Sequence, residues 1–244
     1  QALCDLNLPN YMSRIVNNGI QQGGIVSAVP EAIRKSQMDK LTIFMNEAEK
    51  EEVLNNYTLI DESSPNYEAY KKKYPGLEDG PIYVLNKVDK HIEDNMDNIM
   101  GKAFMAVSGV EKLKLGAKDG IISFNGIEIP ANTDLYALLE SLPPEHLAEI
   151  RKAVEAQLTE LGEDMAIQTA APLIKNEYEI LGINTARIQT NYILRIGMYM
   201  LLLSLLVAVS TIMVGFLSSR TAAGVARNLR SDIFKKVQSF SNAE

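Results

Sequence analysis

Two histidines, one cysteine and a run of three lysines are the side chains in this sequence whose chemistry could support a reaction or hold a ligand. His91, with Glu93 and Asp94 close behind it, is the nearest approach to a metal-binding or acid–base cluster. Spaced so closely on one helix, these groups converge poorly, and they read as a solvated helix face. His146, at the start of a predicted helix, reads as a surface residue. Lys71, Lys72 and Lys73, flanked by Tyr70 and Tyr74, could touch a phosphate, but within an acidic region they read first as a solvated loop. A lone Cys4 can form neither an intramolecular disulfide nor a Cys-rich zinc site, and it reads as a small buried apolar residue. The nucleotide-binding Gly-x4-Gly-Lys-Ser/Thr loop, the Gly-x-Ser-x-Gly elbow, His-Glu-x-x-His and a Gly-x-Gly-x-x-Gly turn are all missing from the sequence. No catalytic, cofactor-binding or metal-binding residue is therefore assigned, and function must be sought in how the chain is organised.

Charge is the first sign of that organisation. Residues 21–190 carry 17 basic and 28 acidic side chains, a balance of −11, whereas residues 191–244 carry six basic and two acidic ones, a balance of +4. Between Arg195 and Arg220 lie 24 residues without a charge. About 20 residues rising 1.5 Å each cross a hydrocarbon core of about 30 Å, so residues 191–219 are predicted to be a membrane-spanning helix. Gly197, Gly215, Ser204, Ala208, Ser210 and Thr211 are small enough for close helix contact, though no strict small-xxx-small pair fixes one face. Arg220, Arg227, Arg230, Lys235 and Lys236 follow the span, opposed nearby by Asp232 alone, which is the bias that holds a flank in the cytoplasm. Residues 220–244 are thus expected inside and the acidic residues 21–190 outside. Contact with lipid headgroups or nucleic acid is the other reading of this basic run; its place beside a span favours topology.

Around the span the sequence predicts a mainly α membrane protein with an α+β outer domain. Ser36 to Asn55 reads as one amphipathic helix with Met38, Leu41, Phe44, Met45, Ala48, Val53 and Leu54 inward. Tyr57–Ile60 and Pro81–Leu85 read as strands, separated by a polar loop with one helical turn. Asp89–Val110 has helical spacing, and residues 120–129 read as a hairpin turning at Asn125-Gly126. Pro143 and Pro144 open a helix facing inward through Leu147, Ile150, Val154, Leu158 and Leu161 and ending near Gly162. Helix continues over Met165–Leu181 despite Pro172, and a last stretch from Asn184 runs unbroken into the span. The ten methionines offer either a pliable apolar binding surface or ordinary core filling. Residues 1–20 have Leu3, Leu6, Leu8, Tyr11, Met12, Ile15, Val16 and Ile20 on one helical face interrupted at Pro9, too short and too polar to span alone. They read as the outer end of a preceding membrane helix. The first residue is glutamine with no signal-peptide order behind it, so the chain is expected to be written from an internal position of a longer protein.

The basic tail resembles the start of the first intracellular loop of ATP-binding cassette exporters. The matching positions are Ala226, Arg227, Leu229, Arg230, Ile233, Phe234, Val237, Phe240 and Glu244. The opening segment is similar to the outer end of the first membrane helix in that family through Leu8, Pro9, Met12, Ile15, Val16 and Gly19, with Asn17 or Asn18 where an acid is usual. Most such exporters have a short outer loop between their first two membrane helices. This chain has about 165 residues there and resembles the bacterial half-transporters with a large extracellular insertion. The resemblance implies an ATP-binding cassette permease whose parent protein hydrolyses ATP with Mg, exports a substrate such as a drug, lipid or peptide, and sits in the plasma membrane with several spans. Its implied partners are a nucleotide-binding domain of the same protein, a second half-transporter, identical or not, and the lipid bilayer, with no nucleic acid. A membrane-anchored sensor, in which an outer ligand-binding domain signals through one helix, is the competing expectation.

Overall fold

Residues 2–116, 121–124, 127–130, 133–161 and 163–241 are described by a computed structural model, and they divide into two compact units. One is the contiguous stretch 17–192, and the other joins residues 1–16 with 193–244. The described residues are mostly helical, with a small antiparallel sheet.

In the 17–192 unit, strands β1 (Ala32–Arg34), β2 (Tyr57–Ile60) and β3 (Ile82–Leu85) form an antiparallel sheet in the order β1-β3-β2. Ile33 faces Tyr83 across the first pair, and Ile60 faces Ile82 across the second. Side chains alternate between the two faces of a strand, and here both faces are apolar. Ile33, Tyr57, Tyr83 and Leu85 turn toward the main core, while Ala32, Ile60, Ile82 and Val84 turn toward a smaller one with Tyr74, Leu77 and Leu181.

The main core is organised around α5 (Lys90–Leu115), whose Met96, Met100 and Phe104 are fully buried. Against it pack α2 (Lys35–Thr42), through Met38 and Leu41, and α8 (Glu163–Ile180), through Ala170, Ala171 and Ile174. At the α5–α8 crossing a Cβ on Gly101 would lie 3.0 Å from the Ala166 Cβ. The backbones approach this closely because both residues are small. α8 runs through the exposed Pro172 as expected. Helix α7 (Pro144–Leu161) closes the core with half-buried Leu147, Ile150 and Val154, while the Leu158 and Leu161 side chains and Gly162 lie outside the described residues. Strands β4 (Ile121–Phe124) and β5 (Ile127–Pro130) pair antiparallel at the expected hairpin; its Asn125-Gly126 turn lies outside the described residues.

Within the 17–192 unit the structure departs from the sequence reading at several points. Ser36–Asn55 is two helices, because Asn46 caps α3 (Glu47–Asn55) by accepting the Glu49 N–H at 2.9 Å while the Glu49 carboxylate accepts the Asn46 N–H at 2.8 Å. That capping box starts a new helix where apolar spacing alone ran on, and it leaves Ala48 exposed. The polar stretch after β2 holds more structure than one helical turn: α4 (Tyr67–Lys73) followed by a 3-10 turn, Pro75–Asp79. A further short helix, α6 (Leu135–Glu140), is opened by Asp134, whose carboxylate accepts the Tyr136 and Ala137 N–H groups.

In the other unit, α1 (Ala2–Arg14) passes through Pro9 without interruption, contrary to expectation; the π-helix Ile15–Gln21 that follows belongs to the 17–192 unit from Asn17 on. Helix α9 extends over Thr185–Ser241, 57 residues without a break, and so belongs to the 17–192 unit through Tyr192 and to the other unit from Ile193 on.

Candidate functional site

The first feature is α9. Among the described residues it is one helix long and apolar enough to cross a membrane. Leu201, Leu205, Leu206, Ile212, Met213 and Phe216 are each more than half exposed, the reverse of what a buried helix of a soluble core would show. Three of its hydroxyls are internally satisfied: Ser204, Ser210 and Thr211 each donate to the carbonyl four residues back at 2.8–2.9 Å. That leaves no hydroxyl proton of these three unpaired, which is what an apolar surrounding would require. A less exposed stripe, Ile196, Met200, Leu203, Val207 and Ser210, recurs at spacings of four and three, as one face of a helix does.

The second feature is the joint at which the 17–192 unit begins and ends. Gly24, at φ +83°, sits so close to α9 that a Cβ there would lie 3.0 Å from the Gln189 Cα. The left-handed φ and the close approach both demand glycine. Chain entry and chain exit of this unit are thereby in backbone contact. A few residues earlier the α8–α9 turn is clamped as well. Gly182, at φ +77°, packs on the Pro75 ring, the Gly76 N–H donates to the Leu181 carbonyl at 3.2 Å, and any Cβ on Gly76 would collide with the Ile180 carbonyl oxygen.

Charged groups hold the same joint to the sheet. Glu177 on α8 is 2% exposed, and its carboxylate accepts from the Arg34 Nη2 at 2.6 Å and Nε at 3.0 Å, a two-pronged pair. Next to it, the Tyr178 hydroxyl accepts the Glu31 N–H at 2.8 Å, and burial pushes that phenol up to about 12. The Glu31 carboxylate in turn accepts from Lys73 and, at 2.9 Å, from the Tyr74 hydroxyl. Burial alone would raise the Glu31 carboxyl, but those two bonds outweigh it and leave it below its ordinary range.

The third feature is a cleft of about 350 Å³ bordered by α3, α5 and α7. Phe44, Ile99 and Val154 contribute apolar surface, and Lys102, Arg151 and Lys152 contribute cations.

The residues singled out in the sequence do not assemble a site. His91 is exposed on the first turn of α5, and His146 is exposed on the first turn of α7, so the two stand on different helices. No group of three or more potential metal ligands occurs among the described residues. Within the lysine run, Lys71 pairs with Glu78 at 2.7 Å and Lys73 with Glu31, so both serve internal ion pairs; Lys72 is exposed. The Cys4 and Phe240 side chains and Glu244 lie outside the described residues. Met38, Met45, Met96 and Met100 are buried core filling. The sequence reading missed Arg34 and Glu177. A signal for Glu177 was present: it falls on the apolar stripe Ala170, Ile174, Tyr178 and Leu181, and a charge at a core position calls for a partner.

Comparison with protein-family models, with curated proteins and with solved structures returns no match.

Proposed function

We propose that this chain belongs to the permease region of an ATP-driven exporter, with the 17–192 unit inserted on the outer side between a first membrane helix ending in α1 and a second formed by α9. The observation that carries this reading is the backbone contact between Gly24 and Gln189. A domain inserted between two neighbouring membrane helices must receive and return the chain at adjacent points, and this unit does so. The exporter-like motifs supply the transport half of the proposal, because they flank the insertion in the right order: Leu8, Pro9, Met12 and Gly19 before it, and Arg227, Leu229, Arg230 and Phe234 after it.

In this reading α9 is the working lever. It has no proline between Thr185 and Ser241, and its first turns are clamped to the outer unit by Gly24, so movement of the cytoplasmic segment would pass outward without a hinge of the proline type. ATP and Mg would act in the nucleotide-binding domain of the parent protein, and the second half-transporter would complete the path. Rocking of helix bundles is the corresponding mode of alternating access.

The test is ATPase activity of the parent protein with its partner subunit in lipid vesicles, measured with and without residues 28–183. Export of a test dye that survives the deletion would make the outer unit an accessory that recruits or releases cargo. Absence of ATPase activity from the intact protein would overturn the exporter reading and leave the sensor, for which the unbroken α9 is equally suited.

A further inference from the structure

We propose that the cleft bordered by α3, α5 and α7 is a binding site for a small organic carboxylate with an apolar body. This goes beyond the transport reading and holds for an exporter or a sensor alike. Its volume of about 350 Å³ lies within the range of small-molecule sites, and Phe44, Ile99 and Val154 give it apolar walls.

The carboxylate preference follows from which charges are already engaged. Three acids stand at or beside the cleft. Glu155 is bridged to Lys102 at 3.2 Å, Glu47 to Lys50 at 2.9 Å, and Glu49 accepts the Asn46 N–H in the capping box. Among the cations, Lys102 is thus neutralised. Arg151 donates one N–H from Nη1 to the Met45 carbonyl at 2.9 Å, which fixes the side chain outside any ion pair among the described residues, and Glu47 lies near enough for the two charges to interact. Lys152 is exposed beside it and has no ion-pair partner among the described residues. Three cations against Glu49 and Glu155 leave the lining one charge positive, on a stretch of chain whose overall balance is −11, so the local sign is not a by-product of composition. A guanidinium anchored at one nitrogen still presents donors suited to a carboxylate, and the apolar walls exclude ions without a body to bury.

The test uses the whole chain in lipid nanodiscs with 2-naphthoate as the probe, followed by calorimetry and ligand-detected NMR, with empty nanodiscs subtracted. The neutral amide of the same ring and its aminomethyl cation serve as matched comparisons. Lys152→Glu reverses that sign, and Ala148→Phe fills the cleft from its half-exposed wall; both positions are solvent-accessible, and circular dichroism checks that each variant stays folded. The expected result is binding of 2-naphthoate in the millimolar range or tighter, roughly tenfold over the amide and the cation, and weakened roughly tenfold by either substitution. Equal binding of the three ring compounds, uptake no greater than by empty discs, or naphthoate binding indifferent to both substitutions would each overturn it.

Discussion

Glu177 is the residue on which the joint between sheet and helix most depends. A carboxylate this buried is tolerated because Arg34 meets it with two nitrogens. Replacing Arg34 with methionine keeps much of the apolar stem but strands the charge. Removing one partner of a buried pair costs about 3 kcal/mol, and since Arg34 itself is one-third exposed the lower part of the usual range applies. The chain has no tryptophan, so urea unfolding followed by circular dichroism is the suitable measurement. A midpoint unchanged in Arg34→Met would show that the pair is dispensable. Tyr178 adds a pH dependence. Its phenol is raised from about 10 to about 12, so below pH 10 the folded and unfolded forms are both protonated and its contribution is intact. Between pH 10 and 12 the unfolded chain ionises first, and stability falls as pH rises. Tyr178→Phe should remove that part of the alkaline loss while costing about 1 kcal/mol at neutral pH through the bond to the Glu31 N–H. A stability–pH curve of the variant parallel to that of the parent across this window would contradict the assignment.

At the scale of elements, the division of α2 from α3 rests on two reciprocal hydrogen bonds. Asn46→Ala should destabilise the unit by about 1 kcal/mol, as loss of a cap does. Gly76→Ala should be worse, since its Cβ meets backbone, the Ile180 carbonyl, which has no rotamer by which to yield. If Gly76→Ala melts within a degree of the parent, the clamp on the α8–α9 turn is looser than described. What the sequence disclosed and what it hid divide along the same line. The spans of β2, β3, α5, α7, α8 and α9 were legible because each has a long apolar period or a sharp turn signal. The break at Asn46 was hidden because the apolar spacing continues across it, and only the Asn-x-x-Glu pattern marks it. β1 escaped because three residues make no period, and α6 because one and a half turns make little more. The cleft was illegible for another reason: Phe44, Ile99 and Val154 come from separate parts of the chain, and nothing local says that they converge.

For the whole molecule, the proposed sidedness rests on the basic flank of α9. In a Cys4→Ser background, a single cysteine at exposed Ser63 should react with a membrane-impermeant maleimide on intact cells, and one at exposed Ser231 only after permeabilisation. Labelling of the Ser231 position on intact cells would reverse the topology. Placing an arginine at Val209, in the middle of the uncharged stretch, should cost about 3 kcal/mol of membrane insertion, read as a lower yield of the spanning form.

The contact at Gly24 and Gln189 bears on how the 17–192 unit stays folded. Where two membrane helices hold both ends together, the unfolded unit is not a free chain but a closed ring of about 165 residues. A cross-link of that span removes enough denatured-state entropy to stabilise the fold by about 5 kcal/mol in the ideal case. The bilayer would then act on this domain as a disulfide does on a secreted one, in a chain whose single cysteine can form no such bridge. Residues 17–192 expressed alone should therefore melt well below the same residues in the intact chain, and joining their ends by a short peptide should restore much of the difference.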